Sequence, residues 1–230
     1  MKIEVLSGDD AVAARGAALI AAAARDAAVA RGRFVVAVSG GHTPWKMLRL
    51  LANEDVPWAA VHVAQVDERV APAGDPERNL THLRESLLAH APLPPAHLHA
   101  MPVETSDLSA AAASYAQALA QVAGSPPVLD LVHLGLGPDG HTASLVPGDP
   151  VLEVTDVEVA ITGGLYQGHR RMTLTYPALN RARSILWLVT GKEKNGALAR
   201  LRKGDVAIPA GRVRQENGRL LADREAAGAS

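Results

Sequence analysis

"VVAVSGGHTPWKML", residues 35–48, is an apolar run suited to a buried strand, followed by a small polar turn and then an apolar pattern that resumes. The break has a local explanation in helix chemistry. Thr43 has the side chain of an N-cap, Pro44 suits the first helical position, and Trp45, Leu48 and Leu51 recur at helical spacing. The stretch predicts a strand that turns directly into a helix, with glycines at the junction.

The same alternation continues in both directions. Strand candidates rich in β-branched residues are KIEVL, RFVVAV, VHVAQV, LHAM, LDLVHLGL, VEVAIT, RMTLT and SILWLVT, and helical patterns fall near 9–31, 44–53, 78–89, 106–123, 142–146, 177–182 and 192–202. Such alternation points to an α/β fold with a doubly wound, mainly parallel sheet. The 230 residues suit a single domain. The proline-rich connections APLPPAHLH and GSPPVLD are short and lead at once into further strand candidates, so neither reads as a linker. The tail after Leu221, residues 222–230, is expected to fray.

A formal charge of −1 without an extended basic run predicts no nucleic-acid or acidic-membrane partner, so any anion site must be local. The absence of cysteine removes disulfides, thiolate catalysis and cysteine-ligated zinc together. The alanine-rich stretch AALIAAAARDAAVARG is interrupted by Arg25 and Asp26 and lacks a cleavage pattern, so it reads as an amphipathic helix. A cytoplasmic location is expected.

Polar and glycine-rich clusters follow the strand candidates directly: SGGHT, DER, GPDGHT and TGKEK. In an open parallel sheet, ligands bind outside the carboxyl ends of the strands, so clusters distant in sequence converge there. Ser39, Gly40, Gly41 and Thr43 sit where a strand becomes a helix, and glycine backbone N–H groups beside a helix N-terminus suit a phosphate. An ordinary tight turn explains the same residues about equally well on their own.

Gly135, Gly137 and Gly140 have G-x-G-x-x-G spacing, which invites a dinucleotide reading. Pro138 and Asp139 lie inside that turn, however, and Glu158 falls at the start of a strand candidate, at the wrong edge for a ribose. The glycines are better read as shaping a loop that presents Asp139 and His141. Imidazole is the side chain whose ordinary titration lies near neutrality, and an adjacent carboxylate can orient it. His97 and His99 read as surface or strand residues and not as a metal pair, and His62, His90 and His133 have no better claim. Asp67, Glu68 and Arg69 read as a charged turn unless they lie at the sheet edge, where Arg69 suits a carboxylate or phosphate. Lys194 near a helix start opposes the macrodipole, which weakly favours an anion partner.

In order along the chain, VSGGHTP, VDERVAP with ERN, LGLGPDGHTASLVPG, RMTLTYPALNRA, LVTGKEK and IPAGRV resemble the motif series of the 6-phosphogluconolactonases, relatives of the glucosamine-6-phosphate deaminase/isomerase group. The resemblance spans nearly the whole chain, and its most specific part surrounds His141. It implies a modified Rossmann-like α/β domain and hydrolysis of 6-phospho-D-glucono-1,5-lactone to 6-phosphogluconate in the pentose phosphate pathway. The implied partner is a small sugar-phosphate lactone, with no metal or organic cofactor and a monomer or weak homo-oligomer.

Carried over by motif, Ser39, Gly40, Gly41 and Thr43 would hold the phosphate with Lys194 and Arg171. Asp67, Arg69, Asp139 and His141 would surround the lactone, with His141 activating water. Two positions depart from the family pattern: Arg78 stands where a small serine is usual, and Val146 replaces an aromatic before Pro147. A deaminase or isomerase is the first rival reading, although the acidic residue that deaminases place shortly after the histidine segment is missing from HTASLVPGDP. A non-catalytic sugar-phosphate sensor is the second. A serine-hydrolase mechanism is disfavoured because Ser39 lacks a G-x-S-x-G elbow and Ser144 falls in an expected helical segment.

Overall fold

The computed structural model describes residues 1–228. Seven parallel strands form the main sheet in the order β1-β10-β9-β6-β2-β3-β5. These are β1 (Lys2–Leu6), β2 (Phe34–Val38), β3 (Val61–Gln65), β5 (Leu98–His99), β6 (Leu131–Leu134), β9 (Ile185–Val189) and β10 (Gly218–Asp223). A second sheet of three antiparallel strands runs β4 (Asp67–Arg69), β8 (Arg171–Leu174), β7 (Val159–Ile161).

Strand β2 is buried throughout and divides two hydrophobic clusters by its alternation. Phe34, Val36 and Val38 face a cluster with α1 (Asp9–Arg31) and α2 (His42–Leu51). Val35 and Ala37 face the other, shared by α4 (Leu108–Ala123), α5 (Tyr176–Arg181), α6 (Asn195–Arg202) and the small sheet. The alanines of α1 do structural work. Ala13, Ala17, Ala21 and Ala24 are fully buried, and a Cβ on Gly16 would lie 2.8 Å from Met47 Sδ, so small residues let α1 approach α2 and the sheet closely. Asp9 and Asp10 open α1 and Arg31 closes it, both favourable to the macrodipole, and Gly32 ends it in the left-handed region at φ 71°. Among the described residues, no helix is long and apolar enough to cross a membrane.

Four expectations need correction. The chain after Leu221 does not fray through Gly228: Ala222 and Asp223 complete β10 between β1 and β9, and α7 (Arg224–Ala227) follows with Ala226 fully buried. Ala229 and Ser230 lie outside the described residues. The segment 142–146 is a tight turn and not a helix, with Thr142 bridged to Leu145 and Ala143 at φ 51°. Its polar side chains bond elsewhere, Thr142 to Gly135 O and Ser144 to Asp67, in competition with helical pairing.

Helix α2 begins at His42 behind Gly41, so Thr43 lies inside the first turn and is not its cap. Finally, Asp67–Arg69 is a strand of the small sheet, because the chain leaving β3 pairs antiparallel with β8.

Candidate active site

β2 neighbours both β3 and β6, which makes the carboxyl ends of β2 and β6 the place where the winding direction changes. A cavity of ≈ 360 Å³ opens there. It is lined by Ser39, Gly40, Gly41, Thr43, Asp67, Arg69, His141, Arg171 and Lys194, drawn from five separate segments. Of the residues that the resemblance assigned to the phosphate and the lactone, Asp139 alone lies off the lining, behind His141.

The glycine turn is shaped by two constraints. Gly41 has φ 134°, a conformation natural to glycine, and a Cβ on Gly40 would fall 2.0 Å from Asn79 Oδ1. Beneath the turn, Ser39 N–H donates to His133 Nδ1 at 3.3 Å. Burial pushes the His133 imidazole down to about 3, so it serves as a neutral acceptor. Thr43 Oγ1 lies 2.7 Å from Thr190 Oγ1, which ties the start of α2 to the end of β9. Ser39 Oγ is buried without a protein partner.

The second element is built around a buried acid that does not face the cavity. Glu68 Oε1 accepts from the backbone N–H groups of Arg69 and Asn79, each at 2.8 Å, and Oε2 accepts from Leu80 N–H and Gln65 Nε2, each at 2.9 Å. This fixes β4 against the start of α3 (Asn79–Leu83). The Asn79 amide then donates to Asp67 O at 2.9 Å and accepts from Arg69 at 3.1 Å. Asp67 Oδ2 accepts from Ser144 Oγ at 2.7 Å. Burial raises the Asp67 pKa and outweighs the lowering by Ser144, Arg171 and Arg69.

Arg69 and Arg171 stand directly opposite one another in the β4–β8 pair. Like charges in that register repel, yet both line the cavity, and the Nε of each is buried without a hydrogen-bond partner. Desolvation pulls the Arg171 pKa down, opposed by Asp67. Lys194 lies where the helical turn Lys192–Lys194 meets α6, with Nζ 3.9 Å from Glu193 Oε1.

His141 and Asp139 form the third element. His141 Nδ1 is 2.6 Å from Asp139 Oδ1, which also accepts the His141 backbone N–H at 3.1 Å. With Nδ1 engaged by the carboxylate, Nε2 is the nitrogen left for chemistry. Desolvation is the largest influence on Asp139 and acts to raise its pKa, but the hydrogen bonds and charge of His141 and the Tyr166 hydroxyl prevail and lower it. Glu158 lies just before β7 and pairs with Arg181, away from the cavity.

Sequence reasoning missed Tyr166, whose hydroxyl donates to Asp139 Oδ2 at 3.3 Å, and did not foresee the bond between Ser144 and Asp67. The only local signal near Tyr166 is Gln167-Gly168, a turn pair with φ 51° and 83°. His62 of β3 stacks on His97 and on His99 of the edge strand β5, and among the described residues no group of three or more acidic or histidine side chains is arranged to hold a metal ion.

The family described as glucosamine-6-phosphate isomerases/6-phosphogluconolactonase matches residues 7–222. The chain is 37% identical over 226 residues to the 6-phosphogluconolactonase of Nostoc sp., covering 95% of this chain and 93% of that one. It is 38% identical over 238 residues to the Mycobacterium tuberculosis 6-phosphogluconolactonase, covering 98% and 96%. The crystal structure of the Thermotoga maritima 6-phosphogluconolactonase superposes with a TM-score of 0.85 at 27% identity, over 96% of this chain and 98% of that one. With likeness sustained along nearly its whole length, this chain belongs to the glucosamine-6-phosphate isomerase/6-phosphogluconolactonase family.

Proposed function

We propose that this protein hydrolyses 6-phospho-D-glucono-1,5-lactone to 6-phosphogluconate, the pentose phosphate pathway reaction of the relatives named above, using His141 as the proton shuttle. One observation carries the reading. Three buried donor atoms, Ser39 Oγ, Arg69 Nε and Arg171 Nε, make no hydrogen bond within the protein, and their residues line the cavity that a carboxylate-oriented imidazole also lines. Such a cavity calls for an anion and offers a base.

The Ser39–Thr43 turn, with the N-terminus of α2, Lys194 and Arg171, holds the phosphate. Anchoring that group supplies orientation at the distant carbonyl. His141 Nε2 takes a proton from water as its oxygen adds to the lactone carbonyl, and Asp139 stabilises the imidazolium that forms. Arg69, whose Nε makes no hydrogen bond and lies 3.9 Å from Glu77 Oε2, stabilises the oxyanion of the tetrahedral intermediate. The bond from the carbonyl carbon to the ring oxygen then breaks, and the imidazolium returns its proton to that oxygen. Asp67 sits at the cavity wall, held by Ser144 and Asn79, and keeps the two arginines in place by charge.

The test is a stopped assay corrected for spontaneous opening of the lactone, run on the phosphorylated and unphosphorylated forms. Wild type is expected to prefer the phosphorylated lactone, and His141→Gln is expected to lose turnover by at least about 100-fold while remaining folded. Equal rates on both lactones remove the phosphate anchor, and an active His141→Gln protein removes the base. Ammonia release from glucosamine 6-phosphate would point to the rival deaminase reaction.

A further inference from the structure

Between β7 and β8 the chain makes a two-residue hairpin turn. Tyr166 and His169 bridge across it, with Tyr166 N–H donating to His169 O at 2.9 Å, and both central residues, Gln167 and Gly168, have positive φ. The turn is closed by backbone hydrogen bonds running both ways between Tyr166 and His169. It carries Tyr166 to the catalytic pair.

The Tyr166 hydroxyl donates to Asp139 Oδ2 at 3.3 Å and stands 3.3 Å from His141 Nδ1. Its ring meets the imidazole edge-on, with centroids 5.2 Å apart. The other side of the same residue grips Arg171. The guanidinium carbon lies 5.0 Å from the ring centroid, and Arg171 NH2 donates to Tyr166 O at 3.3 Å and to Gln167 Oε1 at 3.1 Å. Tyr166 itself does not line the cavity.

We propose that Tyr166 is a positioning residue that sets both halves of the site at once: its hydroxyl fixes the Asp139–His141 pair, and its ring and carbonyl fix Arg171. The inference rests on the roles assigned above to His141 and Arg171. The charged and titratable groups around Tyr166 are few and known. Asp139 and His141 approach from the loop after β6 and Arg171 from β8, while on the hairpin itself His169 turns to Val70 O and Arg170 to Thr162 O. Desolvation and the Asp139 charge raise the Tyr166 pKa, which keeps its hydroxyl a donor near neutrality.

Two substitutions separate the two grips. Tyr166→Phe keeps the ring and loses the hydroxyl. It is expected to lower kcat about fivefold with KM changed by less than about twofold, the loss of one hydrogen bond at the reacting end. Tyr166→Leu also removes the ring, and is expected to raise KM for the phosphorylated lactone by a further factor of about five.

Two readouts need no turnover. In carbon-13 NMR titrations, the Asp139 carboxyl midpoint is expected to move up in Tyr166→Phe, because a donor to its charged form has been removed. Inorganic phosphate, measured by calorimetry, is expected to bind Tyr166→Leu more weakly than Tyr166→Phe. A wild-type kcat in Tyr166→Phe, an unmoved Asp139 midpoint, or equal phosphate binding by the two variants overturns the proposal. Should the wild-type protein fail to open the lactone, the assigned reaction falls, and the titration and phosphate arms still decide Tyr166.

Discussion

The α-carbon of Gly137 lies against the Asp139–His141 pair, and a side chain there has nowhere to go. An added Cβ would fall 2.0 Å from His141 Nδ1 and 2.6 Å from Asp139 Oδ1, while Gly137 N–H donates to His141 O at 2.8 Å. Gly137→Ala must therefore move the imidazole. We expect kcat to drop roughly 100-fold, the scale of a 1 Å misplacement, with a thermal unfolding midpoint close to wild type.

What the sequence made legible at this scale is placement: His141, Asp139 and the Ser39–Thr43 turn, each expected after a strand, gather at one cavity. The sequence was silent on what separates Asp67 from Asp139. One carboxylate is buried at the cavity wall, and burial raises its pKa; the other stands behind the imidazole, where His141 two residues along and the Tyr166 hydroxyl from a distant hairpin lower it against its own desolvation. Tyr166 was invisible for the same reason, since nothing in LYQGH announces that its hydroxyl will meet a loop from the other sheet.

Among the elements, the junction of β4 and α3 shows how an unusual side chain is accommodated. Arg78 is buried, with Nε 3.3 Å from Glu68 Oε2 and NH1 bonded to Glu104, and so adds a positive charge beside the acid that pins Asn79. Removing one partner leaves the other buried and uncompensated. Arg78→Ala is expected to cost roughly 3 kcal/mol in denaturant unfolding, at the low end for such pairs because four N–H groups still serve Glu68. A buried arginine at this position is thus explained by charge pairing.

Most elements could be read from apolar periodicity, including the full extent of α1. Those that could not were set by tertiary context. The turn at 142–146 looks helical until its hydroxyls find Gly135 and Asp67. β10 carries charged residues within it, Arg219 and Asp223, and its strand character follows from a place between β1 and β9.

At the scale of the whole molecule, the neutral imidazole of His133 couples global stability to pH. Its folded value, about 3, lies below the ordinary 6.5, so the unfolded chain binds the proton more readily. The contribution is complete above pH 6.5 and is lost as the pH falls from there towards 3, reaching on the order of 5 kcal/mol. His62, lowered to about 4, acts with the same sign, whereas the raised Asp67 acts with the opposite one. The comparison that isolates His133 is therefore between proteins. His133→Asn keeps an acceptor for Ser39 N–H, and its unfolding free energy is expected to fall less steeply than that of wild type between pH 6.5 and 3, measured by urea titration at each pH.

The alternation of strands and helices gave away the parallel sheet and the edge where its polar loops gather. The small antiparallel sheet was hidden, because its strands come from three separate stretches and only their meeting defines it.

That meeting sets Arg69 against Arg171, two cations brought face to face by strands the chain joins only through a long detour. An anion seated beside them would act as a removable staple, easing their repulsion and fastening the small sheet together. Catalytic occupancy and the mechanical firmness of that corner of the molecule would then rise and fall as one.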